Sequence, residues 1–290
     1  MKKSLIVFLV FTAIVAWSGR VFAVAPQVVI TPTDLIQGDP FMIKVENVNN
    51  ASSVKSITFD GQKEGVFTYQ SIPTALAGID INKKIGAYDV VVTLTNGTIL
   101  KQPVIVQERP NIQKPLGIPQ KLGGDTATSA KNMITELSKE AAYFKNIKTS
   151  KKSLWSNSFV YPVTDPVVTD PYGYVRQTDG YQILHKGTDF KAPEGTPIMA
   201  MNDGIVRVVK KSVTYGNTVV IDHGQGLMTY YLHLSKFEVK VGQMVKQGQI
   251  IGLSGQTGYA LGPHLHLTVR INTVSIDPVK FMNLFQAMTK

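Results

Sequence analysis

The chain has 290 residues, long enough for two domains, and its 43% hydrophobic against 17% charged composition excludes a disordered polymer. A net charge of +10 and a pI near 9.5 make it basic. No run of Lys and Arg interleaved with aromatic residues accompanies that charge, which argues against nucleic acid as a partner. The absence of cysteine excludes disulfides, thiolate metal sites and lipid attachment through a cysteine.

Residues 1–23 read as a secretory signal peptide. Lys2 and Lys3 form a charged start, Leu5 to Trp17 an apolar run, and Val21-Phe22-Ala23 offers small residues at the flanking cleavage positions. The run is shorter than the roughly 20 residues of a spanning helix. The expectation is an exported chain beginning near Val24, in the periplasm, cell envelope or medium, with no stable membrane anchor after cleavage.

Residues 26–108 read as an immunoglobulin-like β-sandwich. Phe41, Ile43 and Val45 alternate with Met42, Lys44 and Glu46, and Tyr88, Val90, Val92 and Leu94 alternate likewise. Asn96-Gly97 follows, a dipeptide favoured in two-residue hairpin turns where both positions need positive φ. Asp60 and Glu64, near Gly61 and Gly65, read as ordinary turn residues. Residues 109–154 read as a linker with one helix. Arg109-Pro110 to Gly123-Gly124 is rich in proline and glycine. Ala130, Met133, Ile134, Leu137, Ala141, Phe144 and Ile147 then recur at helical steps, with Thr128 or Ser129 as the cap. Its polar face mixes Glu136 and Glu140 with lysines, which fits a helix lying on a domain rather than on a membrane.

Residues 155–290 hold the chemistry. All five histidines lie between 185 and 266, in the phrases His185-Lys-Gly-Thr-Asp189, Ile221-Asp-His223-Gly224, Tyr231-Leu-His233-Leu-Ser235 and Pro263-His264-Leu-His266. Without thiolates, imidazole and carboxylate are the usual ligands of zinc, and a catalytic site keeps three of them. Leu261 to Ile271 alternates like a strand, which would turn His264 and His266 into one cleft. Gly187 argues against a helical turn for His185 and Asp189; a strand running into a loop could bring both to one ion. His233 ends another apparent strand, sharing a face with Tyr231 and opposite Leu232 and Leu234. His223, beside Gly224, reads as structural. These features point to a metallohydrolase.

From about Trp155 to Phe281 the sequence resembles the LytM/lysostaphin-type zinc endopeptidases of bacterial cell walls. The likeness runs through Phe159-Val-Tyr-Pro-Val163, Tyr172-Gly173 with Arg176, His185 to Pro197, Asp203-Gly204, Tyr215-Gly-Asn217, Asp222 to Gly226 and His233-Leu-Ser235. It continues through Gly255-Gln-Thr-Gly258, Gly262-Pro-His-Leu-His266 and Asp277-Pro278. Leu267 stands where relatives often have an aromatic residue, and Tyr172 where Phe is commoner. The resemblance implies a compact antiparallel β-sheet peptidase domain, one zinc per chain on His185, Asp189 and His266, and His264 and His233 as proton-handling partners. It places Arg176 near the scissile carbonyl, and it implies peptidoglycan as substrate, an anionic polymer suited to a basic enzyme. The rival function is a non-catalytic relative that activates other cell-wall hydrolases; such relatives have usually lost zinc ligands, all of which this chain keeps. A biotinyl or lipoyl carrier role, suggested by Gly195 to Arg207, is excluded by Asn202-Asp203 in place of the lysine at the hairpin tip.

Overall fold

The computed structural model describes residues 24–115, 117–155, 158–178 and 181–286, so the segment read as a signal peptide lies outside the described residues. The protein is mainly β, as its alternating apolar runs anticipate, with two α-helices among the described residues, α1 (Ala127–Lys145) and α2 (Pro278–Gln286).

The amino-terminal half forms two sheets. One orders the strands Gln27–Thr31, Pro40–Glu46, Ile72–Gly78 and Val66–Tyr69; the other orders Leu35–Ile36, Ile99–Gln107, Gly86–Leu94, Val54–Phe59 and Gln62–Glu64. Their facing sides share one core, in which Phe41, Ile43 and Val45 meet Ile57, Phe59, Val90 and Val92. Each such fully buried side chain contributes about 1.5–3 kcal/mol. Met42, on the opposite face of its strand, is also fully buried. The reason is a second packed layer: Met42, Phe67, Tyr69 and Leu76 join Trp155, Phe159, Phe281 and Phe285 in the core of the carboxyl-terminal half. Phe67 meets Trp155 edge-on at 4.8 Å, and Tyr69 meets Phe285 at 5.7 Å. The hairpin at Asn96-Gly97 differs from expectation. Only Gly97 has positive φ (89°), and the closing bond runs from Leu94 N–H to the Thr98 carbonyl, so the connection is longer than a two-residue turn.

The proline- and glycine-rich connection is strapped onto the second half. Gln113–Pro115 pairs in parallel with Val175–Thr178, and Ile118 is buried. Arg109 donates to Asp39 at 3.0 Å and to Asp277 at 3.2 Å, tying three distant segments together. Helix α1 is capped by Thr126, whose hydroxyl accepts from Ser129 N–H, two or three residues before the caps expected at Thr128 or Ser129.

The carboxyl-terminal half centres on an eight-stranded sheet whose recorded pairings are all antiparallel. Its path runs Val168–Asp170, Thr188–Lys191, His264–Ile271, Leu227–Leu234, Asn217–Gly224, Gly204–Lys211 and Met244–Val245, with Val274–Ile276 beside His264–Ile271. One face packs on the aromatic core. The other carries His264 and His266, while His223 packs against Phe159 on the core side.

Candidate metal centre and its cleft

The strand Thr188–Lys191 pairs with His264–Ile271 so that Asp189 lies opposite His266 and Lys191 opposite His264. Directly opposed residues place their Cβ atoms about 5 Å apart, so two residues 77 positions apart in the chain meet through register alone. His185 arrives from the strand Tyr181–Leu184 through a tight loop at Gly187. A Cβ at Gly187 would run into His266 Nε2 and lie 2.6 Å from the Leu267 carbonyl oxygen, so the loop can close this tightly only with glycine there.

Three atoms converge. His185 Nε2 lies 3.1 Å from Asp189 Oδ1 and 3.1 Å from His266 Nδ1, and His266 Nδ1 lies 2.7 Å from Asp189 Oδ1. The remote atoms are already engaged. His185 Nδ1 donates to the Pro171 carbonyl at 2.8 Å, and His266 Nε2 donates to Thr268 Oγ1 at 3.0 Å, while that hydroxyl donates to the Lys186 carbonyl. Those bonds set both tautomers. They leave two imidazole lone pairs and a carboxylate oxygen crowded on one point, an arrangement that a cation between them would satisfy. A two-histidine, one-carboxylate set with N and O donors fits zinc, among divalent metals, and leaves room for a further ligand. The other oxygen, Asp189 Oδ2, is held by Arg176 at 2.6 Å, and Arg176 also grips Asp170. Burial would raise the Asp189 pKa, but the imidazoles of His185 and His266 hold it well below the usual carboxylate range. Burial pushes His266 down to about 4 despite Asp189.

The two remaining cleft histidines stand beside this cluster. His264 Nδ1 donates to the Gly262 carbonyl at 2.8 Å, and its Nε2 faces Asp189 Oδ1 at 3.8 Å. His233 Nδ1 donates to the Thr257 carbonyl at 2.8 Å, and its ring centroid is 4.9 Å from that of His264. Each thus presents a lone pair on Nε2. Desolvation, with the neighbouring imidazoles, pushes His233 down to about 3. Strand alternation placed His233 with Tyr231, but the structure does not. His233 has φ of +61°, which turns it out of the extended strand into the cleft beside Leu232. Tyr231 stays in the core, fully buried, with its hydroxyl accepting from Met201 N–H. A positive φ on a bulky residue is costly and here sits at a functional face.

His223 lies apart from the cluster. It is fully buried, its Nδ1 donating to the Asp203 carbonyl and its Nε2 accepting from Thr229 Oγ1, both at 2.8 Å. Sequence reasoning missed four supporting residues: Pro171, Thr257, Thr268 and Asp170. Thr268 had a visible signal, since it is two positions beyond His266 on the same strand face, and Thr257 lies within the family phrase Gly255 to Gly258.

Helix α1 roofs the cleft. A cavity of about 540 Å³ separates Met133, Ile134 and Leu137 of α1 from Leu232, His266 and Arg270 on the sheet. The carboxylate of Glu140 accepts from the backbone N–H groups of Val213, Thr214 and Tyr215 at 2.6–3.2 Å, and Phe144 packs on Val208, Val220 and Tyr230.

Fold and cluster together present a candidate metal centre on an antiparallel sheet, and residues 183–278 match the profile of Peptidase family M23. The chain belongs to that family, the LytM/lysostaphin group, through this domain. It is 49% identical over 96 residues to the peptidoglycan DD-endopeptidase ShyA of Vibrio cholerae, a match covering 33% of this chain and 22% of that protein. The chain therefore spans about a fifth of that relative's length. Other relatives are named only as metalloproteases. The crystal structure of a candidate M23 peptidase from Pseudomonas aeruginosa is 27% identical, with a TM-score of 0.64 over 86% of this chain and 96% of that one. The catalytic domain of lysostaphin from Staphylococcus simulans is 35% identical, covering 41% of this chain and 92% of that one, with a TM-score of 0.38. The family match and the relatives named as an endopeptidase and as metalloproteases support a peptidase with a metal cofactor.

Proposed function

We propose that the protein is an exported zinc endopeptidase that hydrolyses peptide bonds in peptidoglycan, in a stem peptide or a cross-link. The observation that carries this is the convergence of His185 Nε2, His266 Nδ1 and Asp189 Oδ1 on one point, with every remote donor already bonded. The substrate class rests on similarity to a peptidoglycan DD-endopeptidase, and export rests on the reading of residues 1–23. No helix among the described residues is long and apolar enough to cross a membrane.

A zinc ion held by His185, Asp189 and His266 would supply Lewis acidity towards the scissile carbonyl and the attacking water. His264, with its Nδ1–H tied to the Gly262 carbonyl, presents Nε2 as the general base that accepts the water proton and returns it to the leaving amine. His233, its Nδ1–H tied to Thr257, likewise presents an acceptor, which suits orienting the attacking water better than donating to an oxyanion. Arg176 acts on Asp189: two carboxylates occupy its guanidinium, so it orients the ligand carboxylate through the remote oxygen Oδ2 rather than reaching for the substrate.

The test is digestion of purified peptidoglycan, with new amino and carboxyl ends identified by mass spectrometry. Chelation should abolish release, and zinc should restore it. Cleavage that persists in fully metal-free protein refutes this reading. Full zinc binding with no cleavage of any muropeptide favours the non-catalytic activator.

A further inference from the structure

Beneath α1 the cleft extends from the histidine cluster along the strand His264–Ile271. Residues two apart on a strand share a face, so Arg270 follows His264, His266 and Thr268 on the cleft side, about 13 Å beyond His266 at 3.3 Å per residue. Arg270 lines the 540 Å³ cavity and also an adjoining one of about 280 Å³, standing where the two meet. Lys145 lines both cavities too, and Lys186 lines the first.

The bonding of Arg270 sets it apart. Arg109 holds Asp39 and Asp277, Arg176 holds Asp170 and Asp189, and Arg207 holds Asp222. Arg270 has no carboxylate partner among the described residues. Its guanidinium lies over the Tyr230 ring, 4.5 Å from the centroid, and its Nε donates to Ser275 Oγ at 3.2 Å. Stacking on an aromatic face and hydrogen bonds to the neutral Ser275 and Tyr230 fix the plane of the fork but leave its positive charge unpaired. A half-buried, oriented guanidinium in a basic cleft is a receptor for a carboxylate, which it can bind through two parallel bonds.

We infer that Arg270 binds a free carboxylate of the substrate peptide, a few residues from the bond that is cut, and so selects acidic peptides. This rests on the peptidase reading. The geometry spans a short extended segment: four residues separate Arg270 from the ligand His266, and an extended peptide lying along the strand advances by a similar step.

The test uses the full mature chain and two muropeptide dimers, one with its free carboxylates and one with them converted to carboxamides. Binding is followed by calorimetry, and kcat and KM by chromatography of products. The unmodified chain should bind and cleave the carboxylate form with about tenfold lower Kd and KM, a typical loss for one charge-assisted pair. Arg270→Met keeps the aliphatic stem over Tyr230 and should erase that preference, lowering the carboxylate form to the level of the carboxamide. Arg270→Lys should retain part of it. Circular dichroism melts show whether each variant folds. An equal loss on both peptides in Arg270→Met, or indifference of the unmodified chain to amidation, overturns the inference while leaving the peptidase reading intact. An Arg270-dependent binding preference without cleavage of either peptide does the reverse.

Discussion

Asp189 and His266 face each other across neighbouring antiparallel strands, with the carboxylate oxygen 2.7 Å from His266 Nδ1. Register, not sequence proximity, makes this pair, and the same register carries His264 to the rim of the site. The two histidines of one strand therefore have separable roles. His266→Ala removes a ligand, so zinc content and activity should fall together. His264→Ala leaves the three converging atoms in place; zinc content should stay near normal while turnover drops by about 10²–10⁴-fold, the range for a positioned general base. Metal analysis beside kinetics decides the matter, and equal zinc loss in both variants would show the assignment to be reversed.

The glycine between His185 and Asp189 is as necessary as they are. Gly187→Ala drives a methyl group into the His266 ring and the Leu267 carbonyl, so zinc affinity should collapse although no ligand has changed. Thr268→Val, which removes the acceptor from His266 Nε2, should cost a milder 10–100-fold in affinity. Competition with a chromophoric chelator ranks the two. Gly187→Ala binding zinc as tightly as the unmodified chain would contradict the loop geometry.

The parts of this architecture visible in the sequence were those written in local periodicity. Alternation in His264 to Ile271 put both imidazoles on one face, and the helical steps from Ala130 to Phe144 marked the apolar side of α1. What α1 lies against was not visible, because its apolar face carries no label for a partner. Alternation also misplaced His233, because one left-handed φ reverses a side chain without any cue in composition. Met42 alternates with the core residues of its strand and is buried all the same, because the pattern of one strand cannot report a second packed face.

The roof gives a prediction about access. Helix α1 lies over the sheet face along which the substrate would run, narrowing the approach of a bulky polymer, and Glu140 fastens the helix to the 213–215 loop through backbone N–H groups. Glu140→Ala leaves those donors without their acceptor, at a cost of about 1–3 kcal/mol in stability. The expected result is a lower melting temperature together with several-fold faster digestion of intact peptidoglycan, and a smaller change on a soluble muropeptide. Slower digestion of both substrates would mean that α1 is a wall of the substrate site and not a cover over it.

His223 is buried and bonded away from the converging ligands, and its burial bears on acid stability. Burial pushes its pKa down to about 4 from 6.5, so between those values the unfolded chain binds more protons than the folded one. Its contribution is present above pH 6.5 and is lost as pH falls towards 4, amounting to about 3 kcal/mol at 1.36 kcal/mol per unit. His223→Ala should melt lower at neutral pH, show a weaker decline in acid, and keep near-normal turnover in the molecules that fold. A variant that folds as well as the parent but has lost turnover would move His223 into the mechanism.

Glu64 acts with the opposite sign, and its partner lies across the junction between the two halves of the molecule. It is buried, its carboxylate accepts from the side-chain amide of Asn272, and burial raises its pKa to about 7 from 4.5 despite that bond. Between pH 4.5 and 7 the folded chain binds the extra proton, so stability is fully present below 4.5 and is lost as pH rises through 7. The loss is again about 3 kcal/mol. Over the shared window, from 4.5 to 6.5, Glu64 and His223 pull in opposite directions, and their contributions offset each other in the unmodified chain. Glu64→Gln keeps a polar group beside Asn272 but cannot ionise. It should raise the melting temperature above pH 7 and uncover a steeper rise of stability between pH 4.5 and 6.5, the mark of His223 left unopposed. Denaturant titrations at half-unit pH intervals on both chains measure this directly, and parallel stability curves would show that Glu64 does not titrate with folding.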